Sequence, residues 1–197
     1  MPLSTIRERL GAFGPPLPSD VEGRVIRASA VLAPLYEEEG RVWVVLTRRA
    51  GHLRAHRGEV SFPGGGQEPG EELVDTAFRE AWEEVRLPRE GVEVIGELDH
   101  LTTVSSNSYI VPLVGALPGR PDLTPDPAEV EKILNVPLDE LTADGVYREE
   151  RWMRAPPRAR TIYFFELVGD TVWGATARML RQLLCIALSL EARPDDT

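Results

Sequence analysis

One stretch, residues 62–87, constrains this chain most, because a run of glycines precedes a set of regularly spaced acids: FPGGGQEPGEELVDTAFREAWEEVRL. Glycine and proline interrupt regular structure, so residues 60–63 are predicted to end a strand and residues 64–66 to form a loop. A helix is predicted after the Pro-Gly turn that follows. Glu71 and Glu72 are expected in its first turn, where the positive end of the helix dipole stabilises acids.

The predicted helix is amphipathic. At about 100° per residue, five apolar residues share a stripe that is expected to face a core: Val74, Phe78, Ala81, Trp82 and Val85. Burial statistics favour the core for Trp82 over contact with a substrate. Glu80 and Glu84 lie one turn apart beside the stripe, and Glu83 lies on their other flank. The acids therefore share one edge of the helix.

This acidic edge has two interpretations. It is a solvated face, as most acidic helix faces are, or it binds a divalent cation, because Mg²⁺ and Mn²⁺ prefer oxygen ligands. A glycine loop beside the edge would allow the backbone to hold a diphosphate next to the cation. Arg79 is able to bridge to Glu83 one turn away and so orient the carboxylates.

The spacing of these residues resembles a known motif. Gly65, Glu71 and the run Arg79-Glu80-Ala81-Trp82-Glu83-Glu84 resemble the Nudix box, G-x5-E-x7-R-E-U-x-E-E-x-G-U. Leu87 fits its last hydrophobic position, whereas Arg86 stands where the motif has its final glycine. The resemblance implies a Nudix hydrolase, an enzyme that hydrolyses a diphosphate bond with Mg²⁺ or Mn²⁺, and a mixed β-sheet between helices.

Metal ligands follow from the resemblance as a hypothesis. Glu80 and Glu84 would coordinate Mg²⁺ or Mn²⁺ directly, and Glu83 would be a further ligand. A carbonyl of Gly64 or Gly65 would complete the site, and both glycines are expected to lie against the substrate. The cation would neutralise phosphate charge and lower the pKa of a bound water molecule.

The remaining catalytic roles are less tightly specified. Glu71 is expected to support the carboxylates through Arg79. The general base is either a glutamate of the box, with Glu83 as the catalytic candidate, or one of Glu129 and Glu131. The sequence does not decide among them, because assigning a general base requires geometry first.

The segment upstream of the box indicates a substrate. Several of its residues resemble the signature of coenzyme A pyrophosphatases, L-L-T-x-T-[SA]-x3-R-x3-G-x3-F-P-G-G: Val45, Leu46, Thr47, Ala50, Arg54, Gly58 and Phe62 to Gly65. Val45 replaces a leucine of the signature and Arg49 replaces a threonine. The opening of the last predicted helix, Trp173 to Ala177, also resembles that group. The resemblance implies hydrolysis of coenzyme A to 4′-phosphopantetheine and adenosine 3′,5′-bisphosphate.

A basic patch supports the same substrate independently. Six cationic or titratable residues lie close together in the sequence: Arg48, Arg49, His52, Arg54, His56 and Arg57. The planar guanidinium group suits phosphate recognition, and a local basic patch steers anions to an acidic protein. Arg54 is the favoured phosphate contact, with Arg48 as a second candidate; alternatively, these arginines pair with acids such as Glu59. Trp173 and Tyr163 are expected in the core rather than in a substrate pocket.

Composition limits the partners. The 197-residue chain carries a formal charge of −10, and Lys132 is its only lysine, which argues against nonspecific binding of nucleic acid. The single cysteine, Cys185, indicates no intramolecular disulfide and fits a reducing cytoplasm. No apolar run approaches the roughly 18 residues of a membrane span. We expect a cytoplasmic enzyme with a small-molecule substrate, and the sequence does not specify its oligomeric state.

The order of predicted elements indicates an α+β fold, with a mixed β-sheet sandwiched between α-helices (αβα). A single domain, residues 1–197, is expected, with an N-terminal helix at 4–12 and a C-terminal helix at 172–191 as extensions. Strands are predicted at 24–36, 41–48, 92–99, 108–116, 130–136, 147–153 and 161–168. Pro112 suggests that the strand at 108–116 is an edge strand or contains a bulge.

Two other functions are compatible with the sequence. In the first, the chain would be a Nudix hydrolase of another nucleoside diphosphate derivative, such as ADP-ribose, a sugar nucleotide or an oxidised nucleotide. Alternatively, it is a ligand-sensing module that kept the fold and lost catalysis. The complete set of acids at Glu80, Glu83 and Glu84 argues against the sensing module, because sensing does not require an intact cation site.

Overall fold

Eleven strands and three helices are present in a computed structural model that describes residues 1–19, 27–53, 57–103, 107–155 and 158–190. The helices are α1 (Leu3–Phe13), α2 (Leu73–Val85) and α3 (Gly174–Leu188). The strands of the larger sheet are β1 (Arg27–Glu38), β2 (Arg41–Arg49), β3 (Val60–Ser61), β4 (Gly64–Gly66), β5 (Glu93–Glu97), β6 (Leu101–Thr102), β7 (Ser108–Ala116) and β8 (Val130–Pro137). A smaller sheet contains β9 (Tyr147–Ala155), β10 (Arg158–Leu167) and β11 (Asp170–Trp173), and a short 3-10 helix covers Glu140–Thr142.

The larger sheet is mixed. Its two central strands, β1 and β7, run parallel, with Arg27 opposite Ser108 and Leu35 opposite Ala116. The other described pairings are antiparallel, including β1 with β2 across the turn at residues 39–40 and β2 with β8. The predicted mixed sheet is therefore confirmed.

Alternation along the strands creates two cores. In β2, Val42, Val44 and Leu46 point to one face of the sheet and Val45 points to the other, as side chains in a strand must. Helix α2 covers the Val45 face through residues such as Phe78, Ala81 and Val85. Helices α1 and α3 cover the opposite face. This layering confirms the predicted αβα arrangement.

The smaller sheet packs against the same core as α3. Tyr163, Phe165 and Val172 contribute buried side chains to that core. Asp170 lies where the two sheets meet, and its buried carboxylate accepts hydrogen bonds from Arg48 at 3.0 Å and Lys132 at 3.2 Å. These ion pairs fix β11, and hence the start of α3, against the larger sheet.

Several local predictions need correction. The C-terminal helix begins at Gly174, not 172, because residues 170–173 pair with β10 as strand β11. Helix α2 begins at Leu73, so Glu71 precedes it and Glu72 is its N-cap. Strand β7 is an inner strand, not an edge, and the irregularity in its pairing with β5 lies in β5, between Val94 and Gly96. On the β5 and β6 side, Pro112 falls between the β5 pairing, which extends to Leu113, and the β6 pairing, which begins at Ile110, so neither of these strands requires the missing N–H. On its other side Pro112 lies opposite Val31 of β1.

In the described part of the chain, no helix combines the length and apolar character needed to cross a bilayer. Cys185, on α3, is a free and partly buried thiol.

Candidate active site

A groove of about 810 Å³ runs between the larger sheet and the smaller one. The glycines of β4 form one side, together with Arg27, Ser29 and Arg49. The opposite side, named here the open wall, comprises Trp152 and Met153 from β9, Trp173 from β11, and Thr176 and Arg178 from the first turns of α3. The groove thus joins the motif predicted from the sequence to residues more than 80 positions away.

The glycine run is a strand rather than the predicted loop. Residues 64–66 pair with residues 29–31 of β1. Each glycine permits a close approach: a Cβ on Gly65 would lie 2.5 Å from the carboxylate of Glu80, and one on Gly66 would overlap the guanidinium of Arg27. Real Cβ atoms do not come so close to other atoms, so Gly65 is required for β4 to approach α2 and Gly66 for β4 to approach Arg27 of β1.

Arg79 holds the acids together. Its Nε and Nη2 atoms donate hydrogen bonds to Glu71 at 2.9 and 3.3 Å. Its Nη1 atom donates to Glu80 and to Glu83, both at 2.9 Å, and Nη2 also donates to the carbonyl of Gly66 at 3.0 Å. The contacts predicted from Arg79 to Glu71 and Glu83 are therefore present. We name Glu71, Arg79, Glu80, Glu83 and Glu84 the acid cluster.

The carboxylates of the acid cluster experience different environments. The guanidinium of Arg79 lowers the pKa of Glu71 to about 2, although desolvation opposes it. Burial raises the pKa of Glu80, and Arg79 partly offsets that rise. Burial also raises the pKa of Glu84, to about 8, and the neighbouring charge of Glu80 adds to the effect. One arginine thus keeps one acid ionised while two others lie in a poorly solvated site.

Glu84 carries the strongest indication of a cation site. The residue is only 5% exposed, and its carboxylate accepts one long hydrogen bond, 3.4 Å from the backbone N–H of Gly64. Among the described residues, none forms an ion pair with it. A buried carboxylate without a cation is costly, so the residues present fit a divalent ion.

The cluster is not a closed metal cage. In residues 1–19, 27–53, 57–103, 107–155 and 158–190, no three His, Cys, Asp or Glu side chains converge closely enough to hold a metal alone. The side chain of Glu83 is 51% exposed and is bound to Arg79. Mg²⁺ usually takes one or two protein carboxylates and fills its shell with water and phosphate. Glu80 and Glu84 match that pattern.

The acid cluster reaches the groove through the glycine strand. Its side chains do not line the groove; Gly64 and Gly65 do, and they contact Glu84 and Glu80 from the other side. The backbone of β4 therefore contacts both the groove and the acid cluster. A ligand that binds to both must lie beside this strand.

The candidates for general base differ in position. Glu129 influences the pKa of both Glu80 and Glu84, so it lies near the acid cluster, and it pairs with Arg49 at 3.6 Å. Glu131 instead pairs with Arg48 at 2.9 Å. The loop before these residues packs on the end of α2, where Asp126 donates its backbone N–H to the carbonyl of Glu84.

The predicted phosphate-binding arginines lie in different places. Arg48 is bound to Asp170 and Glu131 and lines a second cavity, of about 580 Å³, that shares Glu59 and Trp173 with the groove. These contacts match the alternative in which the arginine pairs with nearby acids instead of contacting phosphate. Arg54 lies outside the described residues. Arg49 lines the groove itself.

Contrary to the prediction, two tryptophans lie outside the core. Trp82 is 50% exposed because it points away from the sheet, where the guanidinium of Arg86 lies over its ring. Trp173 is 41% exposed because it ends a strand at the edge of the groove. Tyr163 is buried as predicted, and one side of it also lines the groove.

Two groove residues had no signal in the sequence. Arg27 and Arg178 line the groove and form no ion pair with any described residue. Arg27 lies 37 residues before the glycines, and only the antiparallel pairing of β1 with β4 brings it to them. The resemblance of residues 173–177 to a family signature pointed toward the start of α3 but not to Arg178.

Comparisons with known proteins agree with this geometry. A NUDIX domain model matches residues 26–156, more than half of the chain. A Photorhabdus laumondii protein named "Uncharacterized Nudix hydrolase NudL" is 40% identical over 159 residues, covering 80% of this chain and 83% of that protein. Nudix hydrolase 3 of Caenorhabditis elegans is 39% identical over 174 residues, covering 81% of this chain and 72% of that protein.

Solved structures show the same fold at low identity. A MutT/nudix family protein from Enterococcus faecalis has a TM-score of 0.56 at 15% identity and covers 100% of this chain and 85% of its own. A binary complex of C. elegans Ap4A hydrolase has a TM-score of 0.50 at 18% identity, covering 58% and 82% respectively. At these identities the likeness concerns the fold alone.

Proposed function

The chain belongs to the NUDIX family, and from that premise we propose that it hydrolyses the diphosphate bond of coenzyme A with Mg²⁺ or Mn²⁺. The broader assignment is that of a Nudix pyrophosphohydrolase acting on a nucleoside diphosphate derivative. The products from coenzyme A would be 4′-phosphopantetheine and adenosine 3′,5′-bisphosphate.

One observation carries the proposal of a metal-dependent site. Glu84 is buried without a cationic partner among the described residues, next to Glu80 and against the backbone of the glycine strand. A solvated acidic face would not bury a carboxylate in this way. A ligand-sensing module would not require a carboxylate to be buried at this cost in stability.

Each residue of the acid cluster has a proposed role. Glu80 and Glu84 hold the cation, with Glu83 as a further ligand or as the catalytic acid-base group. When bound, the cation neutralises diphosphate charge and lowers the pKa of a coordinated water molecule. Arg79 positions Glu80 and Glu83 through its bonds to both, and Glu71 holds Arg79 in place.

Proton removal from the attacking water is assigned to the region of Glu83 and Glu129. Glu129 is better placed than Glu131, because it is charge-coupled to Glu80 and Glu84 whereas Glu131 is bound to Arg48 beside the second cavity. Its partner Arg49 lines the groove, where a guanidinium would attract the phosphate groups of the substrate.

The groove supports a substrate with both charged and apolar parts. Gly64 and Gly65 would lie along the diphosphate, and Arg49 and Arg27 supply positive charge on that side. Trp173 and Met153 on the opposite side offer an apolar surface to a base or a pantetheine chain. The predicted contacts of Arg48 and Arg54 with phosphate remain part of the proposal.

A turnover panel tests the substrate. Purified protein with Mg²⁺ or Mn²⁺ is given coenzyme A, its 3′-dephospho form and ADP-ribose at equal concentrations, and the products are separated by chromatography. The proposal predicts the highest kcat/KM for coenzyme A. A clear preference for ADP-ribose would refute that choice of substrate while leaving the Nudix assignment intact. Absence of turnover with all three compounds, together with ligand binding, would favour the sensing module.

A further inference from the structure

We propose that the amino end of α3 is a second anion subsite, distinct from the glycine strand, that binds a phosphate monoester carried by the substrate. The subsite consists of the hydroxyl of Thr176, the guanidinium of Arg178 and the free backbone N–H groups of the first helical turn. The inference rests on the proposed function, because it assigns to this subsite the 3′-phosphate of coenzyme A.

Thr176 provides the first argument. The residue is only 8% exposed, yet it lines the groove, and its hydroxyl forms no hydrogen bond with any residue that the structure describes. The hydroxyl oxygen is not among the fully buried polar atoms that lack a partner in the described part of the chain, so it is accessible from the groove while the rest of the side chain is buried. A ligand oxygen in the groove would supply the missing partner.

The helix end provides the second argument. The N-cap residue of α3, Trp173, makes no side-chain capping bond, and no acid occupies the first turn. No side chain caps the first backbone N–H groups of this 15-residue helix, and the residues of its first turn, 174–176, line the groove at the positive end of the helix dipole. A Cβ on Gly174 would meet no atom within 4 Å, so there is open space beside this turn. Such an end binds phosphate well.

Arg178 provides the charge. It lies one turn after Gly174, on the same side of the helix, and it lines the groove. It forms no ion pair with any described residue, although the chain has 32 acids and a net charge of −10. Arg181, on the same helix, by contrast contacts Glu149 and Tyr147. A partly buried, unpaired arginine beside a free helix end is suited to a dianionic ligand.

The experiment compares two substrates that differ only in the 3′-phosphate. We measure kcat/KM for coenzyme A and for 3′-dephospho-coenzyme A with the wild type, Arg178→Gln and Thr176→Val. Each substitution is expected to lower kcat/KM for coenzyme A by about tenfold to a hundredfold, the effect of losing one bond to a charged group. The value for the dephospho form should stay within about twofold. Equal losses with both substrates, or no loss with coenzyme A, would overturn the proposal.

Two control variants accompany the comparison. Arg120→Gln removes an exposed arginine that pairs with Glu38 away from the groove, and it should alter neither substrate. Thr176→Ser keeps the hydroxyl and should keep the preference for coenzyme A. If Thr176→Ser loses the preference as fully as Thr176→Val, the hydroxyl is not the group that binds the phosphate.

A binding measurement separates this inference from the choice of substrate. Isothermal titration of the wild type with adenosine 3′,5′-bisphosphate and with adenosine 5′-monophosphate requires no turnover. Tighter binding of the bisphosphate, abolished by Arg178→Gln, would support the subsite even if coenzyme A proved a poor substrate. Equal affinity for the two nucleotides in the wild type would refute the subsite even if coenzyme A were hydrolysed.

Discussion

The acid cluster, which contacts the glycine strand, and the open wall of the groove differ in how their polar groups are held. In the acid cluster, Arg79 makes hydrogen bonds to Glu71, Glu80, Glu83 and a backbone carbonyl, so these side chains are fixed from within, and Glu84 alone accepts only a long bond from a backbone N–H. On the open wall, Trp173 is exposed. Among described residues, no partner binds the hydroxyl or guanidinium group at the start of α3.

This difference indicates a division of labour. A pre-organised cluster suits a chemical step, because groups held in place need no rearrangement during the reaction. Unpaired groups on the opposite side suit recognition, because a ligand supplies the partners they lack. Substitutions in the acid cluster should therefore change kcat, and substitutions on the open wall should change KM and selectivity.

The largest effect is expected for Glu84→Gln. The amide keeps the shape of the side chain but removes the charge that would bind a cation, so kcat should fall on the order of a thousandfold, about 4 kcal/mol of transition-state stabilisation. Thermal unfolding should show an intact fold, because a neutral group is easier to bury at this position. Glu90→Gln, an exposed acid beyond α2, serves as the control. Retained turnover in Glu84→Gln would remove this residue from the cation site.

Gly65→Ala tests the contact between strand and helix. The added Cβ would lie 2.5 Å from the Glu80 carboxylate, so Glu80 must move, and kcat/KM should fall by about tenfold to a hundredfold. Overpacking should also lower the free energy of unfolding by about 1–3 kcal/mol. Gly11→Ala, in α1, meets no atom within 4 Å and should leave activity unchanged. Unaltered kinetics in Gly65→Ala would show that this close approach is unimportant for catalysis.

Trp173→Ala tests the open wall. Loss of a stacking surface should raise KM by about tenfold, because stacking a base on an aromatic ring is worth about 1–3 kcal/mol, while kcat stays nearly constant. Trp82→Ala is a matched control, since that ring is also exposed but lies outside the groove. Steady-state kinetics distinguish the two. A fall in kcat with unchanged KM in Trp173→Ala would contradict the proposed division.

The smallest effect is expected for Arg86→Gly, which restores the glycine of the Nudix box. Arg86 adopts a left-handed conformation at φ 58°, which costs a non-glycine residue about 1–2 kcal/mol. Its bonds to Trp82 and Asp126 offset part of that cost, so the free energy of unfolding should rise by no more than about 1 kcal/mol.

A matched substitution isolates the backbone effect. Ser189 caps α3 in the same conformation, at φ 56°. Ser189→Gly should therefore give a similar rise in the free energy of unfolding, measured by urea denaturation. Destabilisation by both substitutions would show that backbone strain is absent at these two caps.

The sequence predicted the acid cluster better than the open wall for a physical reason. Contacts of Arg79 with Glu80 and Glu83 are local to one helix, so residue spacing determines them. Trp173 and Arg178 reach the groove only after β11 pairs with β10 and α3 packs on the sheet. The hydrophobic pattern of residues 170–178 alone does not predict this packing.

The layered fold was also predictable, because alternation in β2 and the stripe on α2 both record burial. The errors arose where tertiary contacts override local preference. Residues 64–66 form a strand because β1 supplies hydrogen-bond partners. Trp82 is exposed because the stripe that packs on the sheet is narrower than the hydrophobic pattern suggested.

Manganese binding tests the central claim most directly. Titration of Mn²⁺, followed by electron paramagnetic resonance of the free ion, is carried out on the wild type, the double variant Glu80→Gln/Glu84→Gln and Glu90→Gln. We expect the wild type and Glu90→Gln to bind Mn²⁺, and the double variant to bind it at least about tenfold more weakly. Equal Mn²⁺ affinity in all three proteins would contradict the assignment of the acid cluster as the cation site.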